Sequence, residues 1–157
     1  MNEIVESIKG EVSLDDRGTV RFVNNFSPEK YKRFYIVTNH QRNFIRGWHG
    51  HRTAEKAVMV VKGTAIIAVS KMSSKNGKFP LPAVLAEPIT TFTLSELVPS
   101  ILVIPPGYFN ASKTLEDKTK ILYFSTDTIQ AATQDDERIP WDTIYGNWKW
   151  YGNQVSK

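Results

Sequence analysis

The chain has 157 residues, 41% of them hydrophobic and 23% charged, with 20 Lys and Arg against 16 Asp and Glu, a formal net charge of +4, and no cysteine. That length suits a single domain over 1–157 able to hide about two thirds of its unfolded surface, and the lack of cysteine excludes a disulfide scaffold, a zinc ribbon, a redox pair and a thiol nucleophile. No run approaches the roughly 20 apolar residues of a membrane span, the N-terminus is polar and acidic rather than a signal sequence, and the basic residues are scattered among acids. The expected protein is therefore soluble and cytoplasmic, with no membrane and no nucleic acid as partner, and a small anion such as a diphosphate suits its charge better.

Short alternating or apolar runs, parted by Gly, Pro, Asn or Asp, predict strands along the whole chain. They cover Thr19–Asn24, Arg33–Val37, Arg46–His51, Lys56–Val61, Thr64–Ser70, Ala83–Glu87, Ile89–Leu94, Ser100–Ile104, Phe109–Lys113 and Lys120–Thr126. Pro28–Lys32 after Ser27, and Ser95–Val98 with Ser95 as cap, are expected as short helices. Lys62-Gly63 predicts a tight hairpin, and Lys75-Asn76-Gly77-Lys78 a type I′ turn. So many short strands exceed one flat sheet, and an all-β sandwich or barrel follows. The last stretch carries Trp141, Trp148 and Trp150 beside Tyr145 and Tyr151. Such an aromatic tail either folds over the barrel mouth or packs against a second subunit.

The segment richest in chemistry is Arg46-Gly47-Trp48-His49-Gly50-His51, followed by Glu55 and Lys56. In a strand, His49 and His51 point to one face, because side chains alternate with a period of two. Two imidazoles and a carboxylate suit a divalent metal; two imidazoles and a lysine suit proton transfer beside a carbonyl.

His49, His51 and Glu55 at this spacing resemble the first motif of the cupins, and Ile104-Pro105-Pro106-Gly107-Tyr108-Phe109-Asn110 resembles their second. The resemblance implies a double-stranded β-helix, a jelly-roll barrel with its site in the mouth. The motif's usual histidine is Asn110 here, and an amide is a poor transition-metal ligand, so a metal-free polar pocket with no cofactor is expected.

Asp16-Arg17-Gly18, the Arg46-to-His49 run, Glu55-Lys56, the Ile-Pro-Pro-Gly turn, Tyr123-Phe124-Ser125-Thr126-Asp127 and Ile139-Pro140-Trp141-Asp142 are similar, in order, to the dTDP-4-dehydrorhamnose 3,5-epimerase family. His49-Gly50-His51 after Arg46-Gly47 also looks like the Arg-Gly-x-His-x-His of the sugar 3,4-ketoisomerases. The resemblance implies an isomerase or epimerase acting on a nucleotide-linked 4-keto-6-deoxyhexose, with dTDP as the expected nucleotide, working as a homodimer in deoxysugar biosynthesis.

A 4-keto sugar has acidic protons at carbons 3 and 5, so the reaction needs a base with a pKa near neutrality and a donor for the enolate oxygen. His49 is the candidate base, Lys56 the oxyanion partner and His51 the second proton carrier or the group that orients His49. Arg17 and Arg46 match positions that hold the diphosphate, which a guanidinium forks onto. Asn110 is a polar substrate contact, and Trp141 or Tyr108 stacks on the base or packs in the core.

Three positions depart from the epimerase pattern. Thr128 stands where the family's catalytic tyrosine belongs, with Tyr35 its replacement if that side chain points inward. Asn110 replaces a histidine. No counterpart is expected for the C-terminal aspartate that partners the catalytic histidine, unless Asp142 or Glu55 substitutes. Double epimerisation is therefore not expected. The other readings of the same residues are a non-catalytic cupin that binds sugars or nucleotide sugars, and a metal-dependent cupin of other chemistry.

Overall fold

The structure, a computed structural model, describes residues 4–73 and 88–142. Twelve strands and one helix occur there: β1 (Glu6–Lys9), β2 (Glu11–Asp15), β3 (Gly18–Phe22), β4 (Arg33–Thr38), β5 (Ile45–His51), β6 (Lys56–Lys62), β7 (Thr64–Lys71), β8 (Thr90–Ser95), β9 (Ser100–Ile104), β10 (Tyr108–Thr114), β11 (Lys120–Ser125), α1 (Ile129–Gln134) and β12 (Glu137–Arg138). They form two five-stranded antiparallel sheets, β1-β9-β6-β11-β4 and β12-β5-β10-β7-β8, and a separate β2-β3 hairpin.

The inner faces of the two large sheets meet over Val58, Val60, Ile67, Val69, Leu102, Ile104 and Ile121, all at most 2% exposed. Each such side chain contributes about 1.5–3 kcal/mol when removed from water, which favours sheet stacking over an open meander. The outer faces are covered too. Trp48, Met72, Phe109 and Ala111 pack against Ile89 and Ile139 outside one sheet, and Ala57, Ile101 and Val103 against Val23, Phe26, Tyr31 and Phe124 outside the other. From β4 to β7 and again from β8 to β12, consecutive strands fall in opposite sheets, which makes a double-stranded β-helix, so the all-β jelly-roll expectation holds.

The Lys62-Gly63 turn is not a hairpin. β6 pairs with β11 and β9, whereas β7 pairs with β10 and β8, so the turn carries the chain from one sheet to the other. Gly63 makes that corner at φ +75°, where a Cβ would sit 2.5 Å from Thr119 Oγ1. The β-branched runs on either side find long-range partners because a hairpin would leave both outside the stacked core.

Pro28–Lys32 and Ser95–Val98 form turns rather than helices, closed by Tyr31 N–H to the Pro28 carbonyl (2.9 Å) and Val98 N–H to the Ser95 carbonyl (3.3 Å). The one helix, α1, lies where none was expected; Thr128 caps it, its hydroxyl accepting from Ala131 N–H. β1, β2 and β12 also lie outside the predicted runs, being polar and mostly exposed. The expected Ala83–Glu87 strand, the Lys75–Lys78 turn and the tail from Thr143 onward lie outside the described residues. No helix among the described residues is long and apolar enough to cross a membrane.

Candidate active site

Between the two sheets, under α1 and β12, lies a cavity of about 420 Å³. One wall is β5 with β10 and β12, and carries Arg46, His49, His51, Asn110, Ser112 and Arg138. The facing wall carries Arg33, Tyr35, Val37, Lys56 and Tyr123, and Ile129, Ala132, Thr133 and Asp136 close the top.

Alternation along β5 turns His49 and His51 inward and Trp48 and Gly50 outward, as the spacing predicts. Gly50 has no room for a side chain: a Cβ would lie 2.3 Å from Met72 Cε and 2.6 Å from the Phe109 ring. Arg46 is three residues from His49, so strict alternation would put the two on opposite faces. Both reach the cavity because the β5-β10 register slips: Asn110 faces His49 while Ser112 faces Arg46. The extra residue on β5 is absorbed at Gly47-Trp48, the local re-aiming that a bulge provides. Gly47 is needed there, since a Cβ would come within 2.3 Å of that of Ala111.

The His51 ring is held on one side. Its Nδ1 lies 2.5 Å from the backbone carbonyl of Asp135. A carbonyl only accepts, so Nδ1 carries the proton and Nε2 is the basic nitrogen. The His49 ring has no hydrogen-bond partner among the described residues. Burial lowers the pKa of both rings below the usual histidine value. Arg138 adds to this at His49 and Lys56 at His51; Asp136 opposes it at His49, and Asp135 and Asp136 oppose it at His51, and the net effect at both rings favours the neutral imidazole.

Lys56 is 3% exposed, and its Nζ donates to Ser125 Oγ at 2.9 Å. Burial, reinforced by the charge of Arg33, brings its pKa down to about 8 against the partial opposition of Asp127, Asp136 and Asp135. Its ammonium stands 5.7 Å from the centre of the Tyr35 ring, which stacks on Tyr123 at 5.2 Å. Arg46 Nε donates to Asn39 Oδ1 at 2.7 Å, which fixes the arm and leaves the outer guanidinium nitrogens for a ligand. Among the described residues that line the cavity, Arg33, Arg46, Lys56 and Arg138 face a single carboxylate, Asp136, which pairs with Arg138 at 2.8 Å, so the cavity favours a polyanion.

Six residues singled out from the sequence come together here: His49, His51, Lys56, Arg46, Asn110 and Tyr35. Asn110 spends its amide nitrogen on the His49 carbonyl (3.1 Å), bracing the strand and leaving its oxygen available to a ligand. Arg17 is elsewhere: it sits at the tip of the β2-β3 hairpin, its side chain 86% exposed and paired with Asp15. Trp141, 42% exposed, does not line the cavity either. Glu55 does not join the histidines, because its carboxylate accepts from the Tyr31 hydroxyl (2.6 Å) and pairs with Lys30 (2.7 Å). The two-His, one-Glu metal set is therefore not assembled, and no group of three or more metal-ligating side chains occurs among the described residues.

Arg33, Ser112, Tyr123, Asp136 and Arg138 were missed. Arg33 was legible, since it lies two residues from Tyr35 on a predicted strand. Asp136 and Arg138 were not, because the two-residue strand β12, which holds Arg138 and directly follows Asp136, exists only by pairing with β5.

Solved structures share this fold across nearly the whole chain. The dTDP-4-dehydrorhamnose 3,5-epimerase of Bacillus anthracis, solved with TDP and PPi bound, is 16% identical with a TM-score of 0.74, covering 93% of this chain and 84% of that one. ChmJ, a 3′-monoepimerase of Streptomyces bikiniensis solved with dTDP-quinovose, is 16% identical with a TM-score of 0.71, covering 93% and 75%. The 3,4-ketoisomerase QdtA of Thermoanaerobacterium thermosaccharolyticum, a double mutant in complex with TDP, is 18% identical with a TM-score of 0.65, covering 88% and 89%. No protein of curated function matches the sequence. A family model described as "FdtA: WxcM-like, C-terminal" matches residues 3–83, just over half of the chain, and the protein belongs to that family.

Proposed function

We propose that the protein is an isomerase of a nucleotide-diphosphate-linked 4-keto-6-deoxyhexose, working by proton transfer without a metal or other cofactor. The observation that carries this reading is the cavity itself: two imidazoles on one wall, a buried lysine on the other, and arginines enough for a diphosphate. The TDP and dTDP-sugar complexes of proteins with this fold support the choice of nucleotide sugar.

In the reaction, His49 takes the proton from carbon 3 and the bonding electrons move onto the carbonyl oxygen at carbon 4. Lys56 donates a proton to that oxygen as its charge grows, giving an enediol. As the lysine regains its proton from the oxygen on carbon 3, carbon 4 receives the proton that His49 took, relayed through Nε2 of His51 on the same face, and both imidazoles end as they began. Hydrogen has moved from carbon 3 to carbon 4, the carbonyl from carbon 4 to carbon 3, and nothing is oxidised or reduced overall.

The placement of the histidines favours this 3,4-ketoisomerisation over epimerisation. His49 and His51 are consecutive inward residues of one strand, about 7 Å apart along it, so both serve the same face of a sugar ring. Epimerisation needs a donor on the opposite face. Tyr35 occupies that wall, but burial raises its pKa, and Thr128 serves as a helix cap.

The working unit we propose is a cytoplasmic homodimer. The hairpin exposes Val12, Leu14 and Val20, and the edge strand β4 exposes Phe34 and Ile36. An isolated two-stranded hairpin is marginal in water, and exposed edges invite pairing. A second copy would cover this surface, and only through such pairing would Arg17 approach a cavity as a diphosphate ligand.

Proton NMR with dTDP-4-keto-6-deoxyglucose in deuterated buffer tests the proposal. Exchange at carbon 3 with a new 3-keto product is the expected result. Exchange with inverted configuration would make it an epimerase, and binding without exchange would make it a binding cupin.

A further inference from the structure

The histidine pair is served by a residue that lines no part of the cavity. Asp135 follows α1, and its peptide carbonyl receives the His51 Nδ1 proton at 2.5 Å. Its carboxylate points the other way and grips the two residues after His51. One oxygen accepts from Arg52 N–H at 2.9 Å; the other accepts from Thr53 N–H at 2.9 Å and from the Thr53 hydroxyl at 2.8 Å. The Arg52 guanidinium is bound in turn by Glu137 on β12, which pairs with β5 at Gly50.

We propose that Asp135 is the positioning residue of His51: its carbonyl holds the imidazole as the Nδ1–H tautomer, and its carboxylate fastens that carbonyl to the strand that carries the histidine. The two ends of one residue thus bracket His51, one on the ring and one on the backbone beyond it. Neither contact works alone. A carbonyl on a loop would wander by more than a hydrogen bond tolerates, and a carboxylate on the backbone would leave the ring free to flip.

A carbonyl partner differs from the carboxylate that usually orients a catalytic histidine. It fixes direction and tautomer through a neutral acceptor on the ring nitrogen, and the carboxylates of Asp135 and Asp136 act on the ring only through space, so it stabilises an imidazolium less than a directly bonded carboxylate does. That suits a ring whose Nε2 must be unprotonated to take over the proton from His49 and pass it on to carbon 4. Burial alone would raise the pKa of the Asp135 carboxyl, but the Arg52 and Thr53 amides outweigh it and hold the group below the usual carboxylate range. The grip is therefore that of an anion throughout the neutral range.

The part of this inference that concerns turnover rests on the isomerase reading; the tautomer does not. Long-range proton–nitrogen correlation NMR on the nitrogen-15-labelled protein at pH 7.5 should show His51 as the Nδ1–H tautomer. Predominant Nε2–H in the wild type overturns the proposal without any variant. Asp135→Ala should give mixed tautomers and a kcat lower on the order of 10²-fold, with KM changed less than about threefold. Asp135→Asn, whose amide oxygen keeps one side of the grip, should fall between the two and recover part of the tautomer signal. A wild-type tautomer in either variant together with lost stability would make Asp135 merely structural and overturn the proposal. The Nδ1–H tautomer without turnover of any keto sugar nucleotide would leave the bracket standing and refute the isomerase.

Discussion

Replacing Lys56 with Met should stabilise the protein while abolishing its chemistry. The ammonium is buried, and its pKa falls from 10.5 to about 8, because folding removes water from the charge and brings Arg33 near. A change of that size corresponds to about 3 kcal/mol. The folded state binds the proton less tightly than the unfolded chain, so this penalty is fully present below pH 8 and is relieved as pH rises from 8 to 10.5. Methionine has nearly the same length and no charge. Against the relief stands the lost bond to Ser125 Oγ, about 1 kcal/mol, which leaves a net gain of about 2 kcal/mol at pH 7. For a domain of this size that is roughly 4–8 °C in melting temperature. Melting curves of wild type and Lys56→Met at pH 7 and pH 10 provide the test. The gap should be open at pH 7 and close to within about 1 kcal/mol at pH 10, while turnover falls on the order of 10²–10³-fold. A variant less stable at pH 7, or a gap unaffected by pH, would refute the claim that burial sets this lysine's proton affinity.

His49→Asn should reduce turnover by at least about 10²-fold with a melting temperature within roughly 2 °C of wild type, because the ring bonds to nothing else described; a large drop would make it structural. Arg46→Lys should raise KM about tenfold with little change in kcat, since the fork and its Asn39 anchor are lost but the charge stays; equal losses with a sugar lacking the diphosphate would contradict that role. The pH profile of kcat/KM should rise with a midpoint below 6.5, as neutral histidines form, and fall near pH 8 as Lys56 loses its proton; a profile still rising at pH 9 would remove the lysine from the step. Light scattering at high micromolar concentration should give a dimer for the wild type and a monomer for Leu14→Asp, which places a charge on a side chain 77% exposed in the single chain; a monomeric wild type would refute the pairing.

The sequence by itself determined the elements whose information is local. Period-two alternation located β4 to β11 wherever they are described, and the same alternation placed His49 and His51 on one face, because pleating acts residue by residue. Lys56 came from the resemblance of Glu55-Lys56 to the epimerase motif, whereas Tyr35 was a candidate only if its side chain pointed inward, which the pairing of β4 with β11 decided. Tertiary structure decided everything that depends on pairing between distant segments. It put β6 and β7 in opposite sheets across Gly63, which a local turn signal cannot distinguish from a hairpin. It turned Arg46 inward through a slip in register against β10, sent Glu55 to Tyr31 instead of the histidines, and left Arg17 outside the cavity. It also brought the Asp135 carbonyl to His51, Asp136 to the top of the cavity, and Arg138 onto the histidine wall through β12, a two-residue strand with no pattern of its own. A side chain's face is written in its neighbours along the chain; its partners are chosen by which buried surfaces and hydrogen bonds the folded whole can satisfy together.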